Sequence, residues 1–148
     1  MSEADGNHPL ELSNYVEGLT LRLTSRTKLS ALANERRNLA EPQLQEYLRY
    51  RKGIERLLHR VMKDGVDAGQ FEVDDPQQTA RAILGMIRSI STWYDAEGVA
   101  PQLALAKQYA RIALRSVNWP DVDAICPVST ASATSRRPSR RGRAVLPL

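Results

Sequence analysis

Residues 64–94, DGVDAGQFEVDDPQQTARAILGMIRSISTWY, decide the fold. Gly65 and Gly69 are able to supply the left-handed residues that stop a helix and turn the chain. Phe71, the one phenylalanine, then tucks back over that turn. Asp74 or Asp75 followed by Pro76 is a helix start, an acidic cap before a residue whose φ is already set. The helix that follows runs to about Tyr94 and is apolar on two sides. Ile83, Leu84, Ile87 and Tyr94 mark one side, and Ala82, Met86, Ile90 and Trp93 the other. A helix with two apolar sides must be covered on both.

The flanking segments are helical too. Upstream, Leu12, Val16, Leu19 and Leu23 recur at helical spacing, and Ser25 and Thr27 offer caps for a second helix carrying Leu29, Leu32 and Ala33. A third and longest helix is expected from about 42 to 65. Its apolar face holds Leu44, Tyr47, Leu48, Ile54, Leu58, Val61 and Met62, with arginines covering the rest. Gly53 inside it costs about 1 kcal/mol relative to Ala. Either the helix simply carries that cost, or something packs closely there, or the helix bends. Downstream, Gly98 and Pro101 break the chain before a last helix at about 101–117. It again has two stripes: Ala106, Ala110, Ala113, Leu114 and Val117, and Leu105, Tyr109 and Ile112. Two consecutive helices with surplus apolar surface favour a dimer, although the chain's own helices could also cover it.

The 148 residues suit one domain, with residues 1–9 expected to fray and 119–148 expected to be a disordered Arg/Pro/Ser-rich tail. The net charge of +4 is unevenly placed. Residues 119–148 hold five arginines against Asp121 and Asp123, so the body is nearly neutral. A neutral body argues against a broad phosphate-binding face. No apolar run approaches a membrane span, and the polar, acidic start does not resemble a signal peptide. The single Cys126 cannot form an internal disulfide, which fits a cytoplasmic protein.

Groups for catalysis are scarce. His8 lies in the expected frayed start and His59 among arginines, neither beside metal-ligand partners. Cys126 falls in the tail without an evident base. Glu35, Arg36 and Arg37 read as a solvated helix face. No enzyme, metal site or cofactor is expected.

In order and spacing, several elements resemble the C-terminal domains of TetR-family transcriptional regulators. They are Tyr50-Arg51, the Gly65-x-x-x-Gly69-x-Phe71 turn, Asp75-Pro76, Ala82-Ile83-Leu84-Gly85-Met86, Trp93-Tyr94 and Tyr109. The likeness spans about Leu10 to Val117 and is nearest the branch that senses coenzyme A thioesters in steroid and fatty-acid breakdown. It implies an all-α bundle of about five helices over 10–118, which binds an effector and dimerises. By the same likeness, Leu29, Leu44, Tyr47, Leu48, Tyr50, Arg51, Met86, Ile90, Trp93 and Tyr94 are candidates to line or gate an effector pocket. Ile83, Ile87, Leu105, Tyr109, Ile112 and Ser116 become candidates for the dimer interface. The expected partners are a second copy and a small apolar or acyl-CoA-like effector.

Nothing before Leu10 encodes the helix-turn-helix with which the family reads DNA. The expectation is therefore a repressor's sensing and dimerising portion without its DNA-binding domain, with DNA reached only through that domain. The alternatives are a weak, nonspecific nucleic-acid binder acting through the basic tail, or a non-functional gene remnant.

Overall fold

The computed structural model describes residues 6–25, 41–94 and 101–128, and among them every regular element is a helix. These are α1 (His8–Thr24), α2 (Glu41–Asp67), α3 (Pro76–Trp93), α4 (Gln102–Ser116) and a single turn, α5 (Val122–Ile125). The helix expected around Leu29 to Ala33 lies outside the described residues.

Helix α1 starts earlier and more firmly than its polar flank suggests. The Asn7 side chain accepts from the Leu10 backbone N–H, and Pro9 occupies the first turn. Gln70 then clamps this start to the far side of the fold. Its amide oxygen accepts from the His8 N–H (3.2 Å) and its NH2 donates to the Gly6 carbonyl (3.2 Å). His8 and Pro9 are buried, which corrects the expected fraying at these two positions.

The turn after α2 follows the sequence reading closely, with one reassignment. Gly69 has φ +73° and is the left-handed residue. The Gln70 N–H bonds back to the Gly65 carbonyl and the Gly69 N–H to that of Val66, which closes a Schellman motif. Gly65 is still helical. Its role is space: a Cβ there would stand 2.1 Å from the Phe71 ring. Close packing therefore occurs at Gly65, whereas a Cβ at Gly53 would meet nothing within 4 Å. Asp75, rather than Asp74, caps α3, accepting from the backbone N–H groups of Gln77 and Gln78.

One core joins α1, the C-terminal half of α2, α3 and α4. Its largest members include Leu12, Leu58, Met62, Ile83, Ile87, Ile90 and Leu114. The most extensive helix packing is α1 on α4. Small residues are buried on both, Ser13 and Thr20 on α1 and Ala106, Ala110 and Ala113 on α4, and small residues let helix axes approach. Helix α4 also ends in a Schellman motif, with Asn118 at φ 58° in the left-handed position. The Val117 carbonyl accepts from the Glu72 N–H, and the Asn118 side chain donates to the Glu72 carbonyl (2.7 Å). These bonds fasten the turn between α2 and α3 to the end of α4.

The expected tail begins later than residue 119. Val122 and Cys126 are buried, and Ile125 packs against the same core. Arg111 on α4 pairs with Asp123 (2.7 Å) and donates to the Cys126 carbonyl. Three apolar side chains at i, i+3 and i+4 thus make a helical turn that clasps α1 and α4 together, too short to show as periodicity. Residues 129–148, the rest of the expected tail, lie outside the described residues.

Candidate functional site

Helix α2 is unevenly covered. All its buried residues, Leu58, Val61, Met62 and Gly65, lie in the second half. Toward its start, Leu44, Tyr47, Leu48, Tyr50 and Arg51 are each half-buried. Among the described residues, the core is therefore closed around the Gly65 turn, while the first half of the long helix is only partly covered.

The middle of α2, where this cover thins, gathers phenols, guanidiniums and a carboxylate from three helices. Tyr15 of α1 donates from its hydroxyl to the Ile54 carbonyl of α2 (2.8 Å). Arg22 of α1 donates to the Tyr50 hydroxyl (3.2 Å). Arg88 of α3 reaches Glu55 of α2 at 2.9 Å, and Arg51, one turn before Glu55, approaches it at 3.8 Å. Burial pushes the Tyr15 hydroxyl well above the ordinary phenol range; Arg88 opposes the shift, while Tyr50 and Glu55 add to it. The hydrogen bond from Arg88 holds Glu55 below the usual carboxylate range. These groups make one cluster, in which the guanidiniums of Arg51 and Arg88 face a single carboxylate and that of Arg22 bonds the Tyr50 hydroxyl. A groove of about 150 Å³ beside it is lined by Tyr15, Gly18, Leu19, Arg22, Ile54 and Leu57.

The sequence-derived pocket candidates separate by position. Tyr50 and Arg51 join the cluster. Leu44, Tyr47 and Leu48 continue along the half-covered part of α2. Ile90 is fully buried, and Met86 and Tyr94 are half-buried against the core. Trp93 is 51% exposed and meets the Tyr94 ring edge-on, with centroids 6.3 Å apart. Leu29 lies outside the described residues. Tyr15, Arg22, Glu55 and Arg88 were not singled out in the sequence. Only the Arg51–Glu55 spacing of four was legible there.

The dimer candidates separate as well. Ile83 and Ile87 are buried within the chain, and Leu105 nearly so at 7% exposure. These three spend their apolar surface inside the subunit and have little left for a partner. Tyr109 is half-buried, while Ile112 and Ser116 are exposed. Among the described residues no group of His, Cys, Asp or Glu is placed to hold a metal ion. No helix among them is long and apolar enough to cross a membrane.

Among the described residues the fold is all-helical, with a closed core around the Gly65 turn and a polar, aromatic cluster midway along α2. Residues 11–117 match the tetracyclin repressor-like C-terminal domain family, and the chain belongs to that family. Such domains typically bind ligands and dimerise within transcriptional regulators. The fold is similar to the crystal structure of a bacterial regulatory protein of the tetR family from Rhodococcus RHA1, with a TM-score of 0.64 at 23% identity. That likeness covers 76% of this chain, which spans 60% of the Rhodococcus chain. No curated protein sequence matches.

Proposed function

We propose that this chain is the effector-sensing and dimerising part of a TetR-type repressor, and that its effector is an acyl or acyl-CoA-like metabolite. The observation that carries this reading is the polar cluster midway along α2, in which cations are in excess among the described residues. Arg22, Arg51 and Arg88 outnumber Glu55, and Tyr15 and Tyr50 add hydroxyls. Guanidiniums on a partly apolar wall suit a ligand with an apolar body and a carboxylate, phosphate or thioester head, because charge-assisted bonds form at one end while the body is desolvated at the other. Leu44, Tyr47, Leu48, Met86 and Trp93 supply the apolar wall. In the intact regulator, an effector that bound one arrangement of the dimer better would shift the population toward it.

Trp93, half-exposed at the end of α3 and proposed as part of this wall, serves as the reporter. Titration with acyl-CoA thioesters of increasing chain length is expected to change Trp93 fluorescence saturably, and free coenzyme A far less. In Trp93→Phe the signal should vanish, because Trp119 lies at the other end of the fold beside the α4 terminus. Identical responses to free coenzyme A and to every thioester would rule out an acyl-reading wall.

A further inference from the structure

Among the described residues, helix α4 presents Ile112, 42% exposed, between two grooves of opposite charge. One groove, about 370 Å³, runs along the helix and carries Lys107, Arg111 and Arg115 with apolar Ile112 and Val128. The other, about 470 Å³, opens at the helix end, where Ser116 and Asn118 meet Glu72, Asp74 and Asp75 of the turn before α3. Arg111 is already paired with Asp123, and Asp75 caps α3. This leaves Lys107 and Arg115 in one groove and Glu72 and Asp74 in the other without an ion partner among the described residues.

We propose that the basic groove of one copy docks against the acidic turn of a second copy, and reciprocally, so that charge sets the register in which two chains pair. The inference rests on the dimerising reading above and adds the surface and the recognition. A two-fold pair needs a surface that contains a patch and its complement. Here the consecutive residues Arg115 and Ser116 border one groove each, so a single helix presents both. Neither a nucleic acid nor an anionic membrane accounts for the acidic half, which would repel it. Ile112 supplies apolar area between the grooves, and the flanking charges supply specificity and speed of encounter.

Sedimentation equilibrium of the full chain is the test, with Arg115→Glu, Glu72→Lys and the double variant. Both side chains are exposed, and circular dichroism should confirm unchanged helix content. Each single reversal is expected to weaken self-association by about tenfold, since symmetry applies every exchanged pair twice. The double variant should regain most of the loss, and raised salt should weaken the parent but change the singles less. Dimers as tight in both singles as in the parent would overturn the charge-set register while leaving the dimerising reading intact. A parent that stays monomeric at all concentrations would overturn both. A duplex DNA probe bound by the parent and lost in Arg115→Glu, with self-association unchanged, would assign the basic groove to nucleic acid instead.

Discussion

At the scale of single residues, two glycines of one helix make opposite predictions. Gly65 lies under the Phe71 ring, where any Cβ would collide, so Gly65→Ala should destabilise by about 1–3 kcal/mol through overpacking. Gly53 is exposed with open space around its Cα, so Gly53→Ala should stabilise by about 0.5–1 kcal/mol. Urea unfolding of the pair decides this, and equal signs would contradict it. The sequence showed both glycines but not which one mattered, because the deciding ring arrives from six residues beyond Gly65. The cap was more legible: Asp75→Ala should cost about 1 kcal/mol by freeing two backbone N–H groups, read in the same experiment. Titratable residues add a pH dependence. Burial raises the Cys126 thiol, with Glu17 adding to the effect, and burial raises the Tyr15 phenol. A folded pKa above the unfolded one makes the unfolded chain lose its proton first, so stability falls as pH rises through the unfolded thiol and phenol ranges. Glu55 has the opposite sign: its lowered pKa contributes stability above the unfolded carboxylate range, which is lost as pH falls through the folded value. Stability measured against pH should therefore decline at both ends, and Tyr15→Phe should flatten the alkaline limb. The Cys126 thiol, 1% exposed, should react with a thiol reagent only as fast as the fold opens.

At the scale of elements, hydrophobic periodicity located the long helices but not the extent of their burial. The apolar face of α2 continues from Leu44 to Met62, yet only its second half is closed in the core. Likewise the two apolar sides of α3 were legible, but Ile90 belongs with Ile83 and Ile87 inside, while Ala82 and Trp93 remain outside. Spacing fixes which residues share a face; it does not say which neighbouring helix reaches that face. The single turn α5 was missed altogether, because it is held by one ion pair and three apolar side chains rather than by a repeat. Arg111 is its anchor, 13% exposed at the side chain and bonded both to Asp123 and to the Cys126 carbonyl. Arg111→Ala should release the clasp and lower stability by about 1–3 kcal/mol, since it leaves a buried carbonyl and removes a charge-assisted bond. Faster labelling of Cys126 in that variant would accompany the loss. Unchanged labelling would mean that the apolar contacts of Val122 and Cys126 hold the turn without it.

At the scale of the whole molecule, the all-α class and the family were legible because turn, cap and helix followed one another in a fixed order from Gly65 to Trp93. The polar cluster was not legible, because Tyr15, Arg22, Glu55 and Arg88 are distant in sequence and meet only when α1, α2 and α3 pack. Among the described residues the molecule combines a closed core around the Gly65 turn, an arginine-rich cluster midway along α2, and two grooves of opposite charge beside α4. We propose that an effector enters along the partly covered first half of α2. Hydrogen–deuterium exchange of the chain, alone and with saturating long-chain acyl-CoA, tests it most directly. The account predicts new protection in the first half of α2 and the last turns of α3, with little change at the already closed Gly65 turn. Protection confined to the Gly65 turn or to α5, with the first half of α2 unaltered, would contradict it.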